Sequence, residues 1–143
     1  MTVIAIRDGI MAVDSAVSVR DMVIGSVKKW RAVPELFGGG FIAFSGNIDT
    51  GGAAMRQFAD KGEVTQSSGD FTLLHLRQNG SVAEWICQGP WLEFEAPFYV
   101  AGNGEKFTIG ALAAGATAEQ AAKLTCEYID GCGGEIHVLS VRP

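Results

Sequence analysis

A threonine near the start of the chain has the residue type and position of a nucleophile. Thr2 follows Met1 directly and begins a predicted strand, residues 2–7. Its hydroxyl reacts poorly at neutral pH until a base removes the proton, and a free α-amine, with an ordinary pKa of about 7.7–8.0, can be that base. Because an initiator methionine is normally removed before a small residue, Thr2 is expected to carry this amine.

Two other features match what such a nucleophile requires. A nearby cation lowers the pKa of the nucleophile, and backbone N–H groups stabilise the negative charge that develops on the attacked oxygen. Lys28 and Lys29 are adjacent in an apolar segment. Neighbouring strand residues point to opposite faces, so one lysine should point inward and need a carboxylate partner. The sequence SGN at 45–47 ends a predicted buried strand before a helix, where N–H groups can bind an oxyanion.

The composition limits the class of protein. The 143 residues predict one domain over 1–143, of which 48% are hydrophobic and 19% charged. The net charge of −5 argues against nucleic-acid binding, and no apolar run suits a membrane span or signal peptide. Cys87, Cys126 and Cys132 fit neither a zinc site nor a disulfide framework. A cytoplasmic protein without metal or cofactor is therefore expected.

Strands and helices are predicted in alternating blocks. Asp8-Gly9 separates strands at 2–7 and 10–14, and Asn79-Gly80 separates strands at 70–77 and 81–87, as in two-residue hairpins. Further extended segments are predicted at 22–33, 38–46, 91–102 and 133–142. Helices are predicted at 49–62, 105–115 and 117–130.

The helix ends carry their own signals. Asp49 or Thr50 should cap the first helix and Gly62 should end it, while Thr117 and Gln120 form a capping box for the third. Blocks of strands alternating with blocks of helices favour an α+β layered domain, with two antiparallel sheets packed together and helices outside. Such layers would also account for the high apolar content.

Four segments together resemble the proteasome β-subunit and HslV peptidase family, the threonine peptidases among the N-terminal nucleophile hydrolases. TVIAIRDGIMAVDS at 2–15 resembles the family's opening threonine strand, and GSVKKW at 25–30 resembles its lysine strand. Residues 42–58 resemble its glycine turn and following helix. Residues 99–139 resemble the late GSG turn, with Asn103 in place of serine, the helix pair and the DxxSGG element.

The resemblance implies a role for six residues. Thr2 would be the nucleophile and its own amine the general base, with Lys29 as the neighbouring cation and Asp14 as the carboxylate that holds Lys29. The backbone N–H of Gly46 would stabilise the oxyanion. Asp130, together with Cys132 where the family has serine, would form a supporting network near the amine.

The resemblance also implies an architecture and partners. The fold would be the four-layer αββα sandwich of the N-terminal nucleophile hydrolases. The chain would form a homo-oligomer of stacked rings, cleave peptides or unfolded proteins, and work with an ATPase unfoldase.

Two other functions stay open on the sequence. One is a non-catalytic homologue that keeps the fold and the ring as a scaffold. The other is an N-terminal nucleophile hydrolase of small amides. Each singled-out residue also has a structural interpretation: a strand start for Thr2, an ion pair for Lys29 and Asp14, a tight turn for Gly46, a core residue for Cys132 and a turn residue for Asp130.

Overall fold

The computed structural model describes residues 2–20, 22–65, 69–86 and 89–142, and within them it has eleven strands and three α-helices. The strands are β1 (Val3–Arg7), β2 (Ile10–Val13), β3 (Ala16–Val19), β4 (Met22–Ser26), β5 (Trp30–Ala32), β6 (Phe41–Gly46), β7 (Phe71–Leu76), β8 (Val82–Ile86), β9 (Leu92–Glu93), β10 (Tyr99–Gly102) and β11 (His137–Ser140). The helices are α1 (Ile48–Lys61), α2 (Glu105–Ala113) and α3 (Ala118–Tyr128). Met1 and Cys87 lie outside the described residues.

Two antiparallel sheets form the middle of the molecule. One has the strand order β10-β1-β2-β11, the other has the order β5-β6-β7-β8-β9, and β3 pairs with β4 in a separate hairpin. The first hairpin pairs Arg7 with Ile10 across Asp8-Gly9, and the hairpin of β7 and β8 turns at Asn79-Gly80, both as predicted.

Three buried apolar clusters define the layers. The side chains of one cluster come from facing sides of the two sheets, and include Ile4, Met11, Leu74 and Leu76. A second joins the outer face of β1 and β2 to α2 and α3, and a third joins the outer face of β6 and β7 to α1. The order helix, sheet, sheet, helix confirms the predicted α+β, four-layer αββα sandwich. None of the helices in the described part of the chain is long and apolar enough to cross a membrane.

Several boundaries differ from the sequence prediction. The cap of α1 is Asn47, not Asp49 or Thr50, because the extended Asn47 accepts hydrogen bonds at Oδ1 from the N–H groups of both Asp49 and Thr50. The extended segment predicted at 22–33 contains two strands, β4 and β5, and residues 27–29 separate them. The predicted end of α1 at Gly62 and the capping box of Thr117 and Gln120 are confirmed.

Candidate active site

A buried ion pair between Lys29 and Asp14 lies at the centre of the candidate site. The Lys29 Nζ donates to Asp14 Oδ1 at 3.1 Å and to Oδ2 at 3.2 Å, and the two side chains are 1% and 0% exposed. Asp14 directly follows β2, and Lys29 lies between β4 and β5. Breaking such a pair is costly because water cannot replace the missing partner.

The two neighbouring lysines point to opposite sides, as the alternation predicted. Lys28 is exposed, and its Nζ lies 4.0 Å from the centre of the Trp30 ring. Lys29 points inward to the carboxylate. The inward lysine is therefore the one that the family resemblance selects.

Backbone groups fix the Asp14 carboxylate from two directions. The N–H of Val3 donates to Asp14 Oδ1 at 3.1 Å, and the N–H of Gly133 donates to Oδ2 at 3.1 Å. In return, the carbonyl of Gly133 accepts from the N–H groups of Ser15 and Ala16 at 3.2 and 3.1 Å. We call this set of bonds between residues 14–16 and Gly133 the Gly133 clasp.

Sequence reasoning missed Gly133. The sequence marks this part of the chain only as the glycine-rich element DGCGG at 130–134. Nothing in the sequence assigns the N–H of Gly133 to a carboxylate more than a hundred residues away. The N–H of Val3 was missed for the same reason, since a strand residue ordinarily directs its N–H to a neighbouring strand.

Thr2 lies immediately before β1 and is 4% exposed. Its carbonyl accepts from the N–H of Asn103 at 3.2 Å, which places Asn103 beside the predicted nucleophile. Gly102 allows this close approach, because its φ is +118° and a Cβ there would overlap the Thr2 carbonyl. Thr2 is thus held by the strand β10 as well as by its own strand.

A cavity of about 330 Å³ brings three of the predicted residues together. Its lining contains Thr2, Lys29 and Gly46, with Asn47 from the predicted SGN turn, and is completed by residues that the sequence had not singled out for the site: Ala16, Ser18, Ile48 and Asp49. The cavity lies at the N-terminus of α1, where the N–H groups of Asp49 and Thr50 donate to the Asn47 side chain. It is large enough for a side chain or small acyl group.

Gly46 ends β6 at the wall of this cavity, where only glycine fits. Its φ is +101°, and a Cβ would overlap the carbonyl oxygen of Asp70 on the neighbouring chain segment. The turn is continued by Asn47, whose N–H donates to the same Asp70 carbonyl at 2.8 Å. The predicted SGN turn therefore exists, and its backbone runs along the site.

Cys132 and Asp130 occupy different environments. Cys132 is buried beside the Gly133 clasp, and its Sγ lies 3.5 Å from the carbonyl oxygen of Ile129 and 3.8 Å from that of Thr125. Asp130 is exposed in the turn after α3. No hydrogen bond or ion pair joins Asp130 to Thr2, Asp14 or Lys29 among the described residues, so the structure does not bring this predicted residue into the site.

Titratable groups elsewhere in the described chain do not form another obvious reaction centre. Residues 2–20, 22–65, 69–86 and 89–142 contain no group of three or more His, Cys, Asp or Glu that could hold a metal ion. His75 is buried, its Nε2 lies 2.8 Å from the carbonyl of Gly39, and burial lowers its pKa from the ordinary value. His75 is therefore a neutral core residue.

Comparisons with known proteins identify the fold. No family model and no curated protein matches the sequence. The structure of Thiobacillus denitrificans BPH in complex with epoxomicin is similar, with a TM-score of 0.69, 16% identity and 99% of both chains covered. The structure of eukaryotic HslV from Trypanosoma brucei is also similar, with a TM-score of 0.68, 17% identity and coverage of 98% of this chain and 99% of that one. The chain therefore has the same α+β fold as these HslV-like structures.

Proposed function

We propose that this protein is a threonine-type peptide hydrolase whose nucleophile is Thr2, exposed as the first residue by removal of Met1. The observation that carries the proposal is the buried Lys29–Asp14 pair beside a cavity that Thr2 and Gly46 also line. An ion pair in an interior is costly to desolvate, and a structural purpose alone would be served as well by apolar side chains. Its position at the wall of a cavity that Thr2 also lines gives the charge a chemical use.

In the proposed reaction the α-amine of Thr2 takes the proton of its own hydroxyl. The Oγ atom attacks the peptide carbonyl carbon, and the N–H of Gly46 donates to the developing oxyanion. The amine then gives the proton to the leaving nitrogen, the C–N bond breaks, and an ester remains on Thr2. Water attacks the ester with the amine again as base, which releases the acid and restores the hydroxyl.

Lys29 acts in this scheme through its charge. The Lys29 ammonium, which lines the same cavity as Thr2, stabilises negative charge on Oγ during the attack, and Asp14 keeps that ammonium in place. The N–H groups of Val3 and Gly133 hold the Asp14 carboxylate in place. Asp14 is therefore a positioning residue, and Lys29 is the electrostatic catalyst.

We also propose that copies of the chain assemble into a homo-oligomeric ring. The hairpin of β3 and β4 exposes four apolar side chains: Val19 (53%), Met22 (70%), Val23 (53%) and Ile24 (66%). Such a patch marks an interaction surface on a soluble protein. Sedimentation velocity on the wild type and on Val23→Glu/Ile24→Glu tests this, because a ring that uses the hairpin should dissociate in the double variant.

Covalent labelling tests the chemistry. Epoxomicin, an epoxyketone, should add one equivalent to the wild type and to Thr2→Ser, and none to Thr2→Ala, as measured by intact mass. Lys29→Ala should lose labelling, whereas the matched variant Lys28→Ala should keep it because Lys28 is exposed on the other side of the chain. Equal loss in the two lysine variants would refute the assignment of Lys29.

The same spectra report the N-terminus. Loss of one methionine from the intact mass leaves the amine on Thr2, as the mechanism requires. Full retention of Met1 in an unlabelled protein would refute the peptidase and favour a non-catalytic, ring-forming homologue, which the exposed position of Asp130 also favours. A protein that turns over small acyl amides and leaves unfolded protein intact would be a small-amide hydrolase.

A further inference from the structure

Two cavities meet at Gly46. The first is the cavity that Thr2 lines, and the second, of about 300 Å³, also has Gly46 in its wall. Gly102 and Asn103 line the second cavity, and the N–H of Asn103 donates to the Thr2 carbonyl. A peptide whose carbonyl is attacked beside Gly46 would therefore have residues in both cavities.

The Thr2 side chain faces this junction without a protein partner. Thr2 is 4% exposed, and the structure gives its hydroxyl no hydrogen bond within the described residues. Polar side chains that are this deeply buried are normally hydrogen-bonded. An unbonded hydroxyl in a cavity wall is thus able to bond a molecule that enters the cavity.

The first cavity has a net negative charge. Of the described residues, Lys29 and Asp49 are the ionisable ones in its wall. The charge of Lys29 is balanced by Asp14, with which it forms the buried ion pair. Asp49 is exposed, and its carboxylate forms no ion pair or hydrogen bond with the described part of the chain.

The start of α1 offers few donors to an acidic side chain in this cavity. The N–H groups of Asp49 and Thr50 donate to Asn47 Oδ1 at 2.9 and 3.1 Å, and the N–H of Gly51 donates to the Asn47 carbonyl at 2.8 Å. A helix N-terminus binds anions through N–H groups that are not already bonded. A basic side chain would instead gain a charged partner in the Asp49 carboxylate.

The second cavity carries charge of the same sign. Asp70 and Glu105 lie in its wall and are exposed, and no lysine or arginine of the described residues lines it. Burial raises the pKa of Glu84, and the negative charge of Glu105 adds to the rise. An added rise of this kind is the effect of a carboxylate whose charge is not cancelled by a cation.

We propose that the site selects substrates with lysine or arginine at the residue that supplies the scissile carbonyl, and that Asp49 is the specificity-determining residue. The inference rests on the proposed function. In the ester that this function requires, the acyl residue is bonded to Thr2, so its side chain lies beside the cavity that Thr2 and Asp49 share. Its ammonium or guanidinium group pairs with Asp49, and Asp70 and Glu105 favour positive charge on the part of the peptide in the second cavity.

Peptide amides with a fluorogenic leaving group test the selectivity. The substrates are identical except for arginine, norleucine or glutamate before the amide. For the wild type, kcat/KM should be about fivefold higher with arginine than with norleucine, which is the size of one exposed ion pair, and lowest with glutamate. Asp49→Asn should bring arginine and norleucine to within about twofold, and Asp49→Lys should prefer glutamate.

The matched control is Glu63→Gln. It removes an exposed carboxylate just beyond the other end of α1, about 20 Å from the first turn, and should keep the preference of the wild type. The same preference in the wild type and in Asp49→Asn, or an equal loss in Glu63→Gln, would overturn the inference.

Binding to Thr2→Ala separates the inference from catalysis. Fluorescence anisotropy with labelled peptides should show about fivefold tighter binding of the arginine peptide than of the norleucine peptide, and Thr2→Ala/Asp49→Asn should lose this difference. The difference should also shrink as the salt concentration is raised from about 0.05 to about 0.5 M. Preferred binding of the arginine peptide, with neither peptide cleaved by the wild type, would count against the peptidase and uphold the basic side-chain site. Binding without a preference would refute the inference, whichever peptides are cleaved.

Discussion

Replacing Asp14 with alanine removes one acceptor from three buried donors. The Lys29 Nζ and the N–H groups of Val3 and Gly133 all lie 3.1 to 3.2 Å from its carboxylate oxygens. Lys29 is 1% exposed, so water cannot take the place of the carboxylate without opening the structure. We therefore expect Asp14→Ala to be strongly destabilising, whether or not the protein is an enzyme.

The size of the loss follows from these contacts. Removing one partner of a buried ion pair costs about 3–5 kcal/mol, and leaving a buried N–H without an acceptor costs about 1–3 kcal/mol. These costs are not simply additive, because one local rearrangement relieves all three donors at once. The free energy of unfolding is therefore expected to fall by at least about 4 kcal/mol. At about 2–4 °C per kcal/mol for a chain of this size, the melting temperature should fall by about 10–15 °C.

Urea unfolding followed by circular dichroism measures this loss. Lys28→Ala is the matched control, since it removes only an exposed contact with the Trp30 ring worth about 0.5–1 kcal/mol. The double variant Asp14→Ala/Lys29→Met should recover part of the stability, because it also removes the buried charge. A loss below about 1.5 kcal/mol in Asp14→Ala, or no recovery in the double variant, would refute the reasoning.

Three further predictions concern stability. Burial lowers the pKa of folded His75 below its ordinary value of 6.5, so on acidification the unfolded chain binds the proton before the folded chain does. The stability that neutral His75 contributes is present above about pH 6.5 and should be lost as the pH falls toward the folded pKa. Urea midpoints measured against pH should therefore fall less steeply in His75→Gln than in the wild type. Gly46→Ala should lower the free energy of unfolding, measured by thermal unfolding, by more than about 1–3 kcal/mol, because residue 46 has a positive φ and its new Cβ would overlap the Asp70 carbonyl. Gly80→Ala is the matched control and should lower it less, because residue 80 also has a positive φ but has open space for a Cβ. Gly110→Ala should raise stability by about 0.5–1 kcal/mol in the same assay, since this exposed helical position has open space for a methyl group.

Features that depend on neighbouring residues could be predicted from the sequence. Alternation along the chain predicted that one of the two adjacent lysines points inward, where an ammonium group needs a carboxylate partner, and the family resemblance selected Lys29. The capping box at Thr117 depends on residues three apart, and the Asp8-Gly9 hairpin on residues that are adjacent. The α+β layered architecture could be predicted from the order of strands and helices, and the family resemblance specified it as a four-layer αββα sandwich.

Features that depend on distant parts of the chain could not be predicted from pattern alone. The N–H of Gly133 reaches Asp14 only because the strands β2 and β11 pair and bring the preceding turn alongside. The Asp49 or Thr50 cap was wrong because either residue can cap in isolation, and the strand pairing of β6 with β7 places Asn47 at the helix start instead. Asp130 was selected by its position in a motif, and the turn after α3 leaves it exposed.

The Gly133 clasp has a consequence for biosynthesis. A ribosome makes Thr2, Asp14 and Lys29 early, yet the group that fixes Asp14 emerges only when residue 133 has been added. The strand β10, which holds the Thr2 carbonyl, is also made late. An unfinished chain therefore carries Thr2, the proposed nucleophile, without a formed site, and a peptidase built in this way would stay latent until residue 133 has been made and folded into place. The order of the strands would protect the nascent chain and its neighbours from premature cleavage.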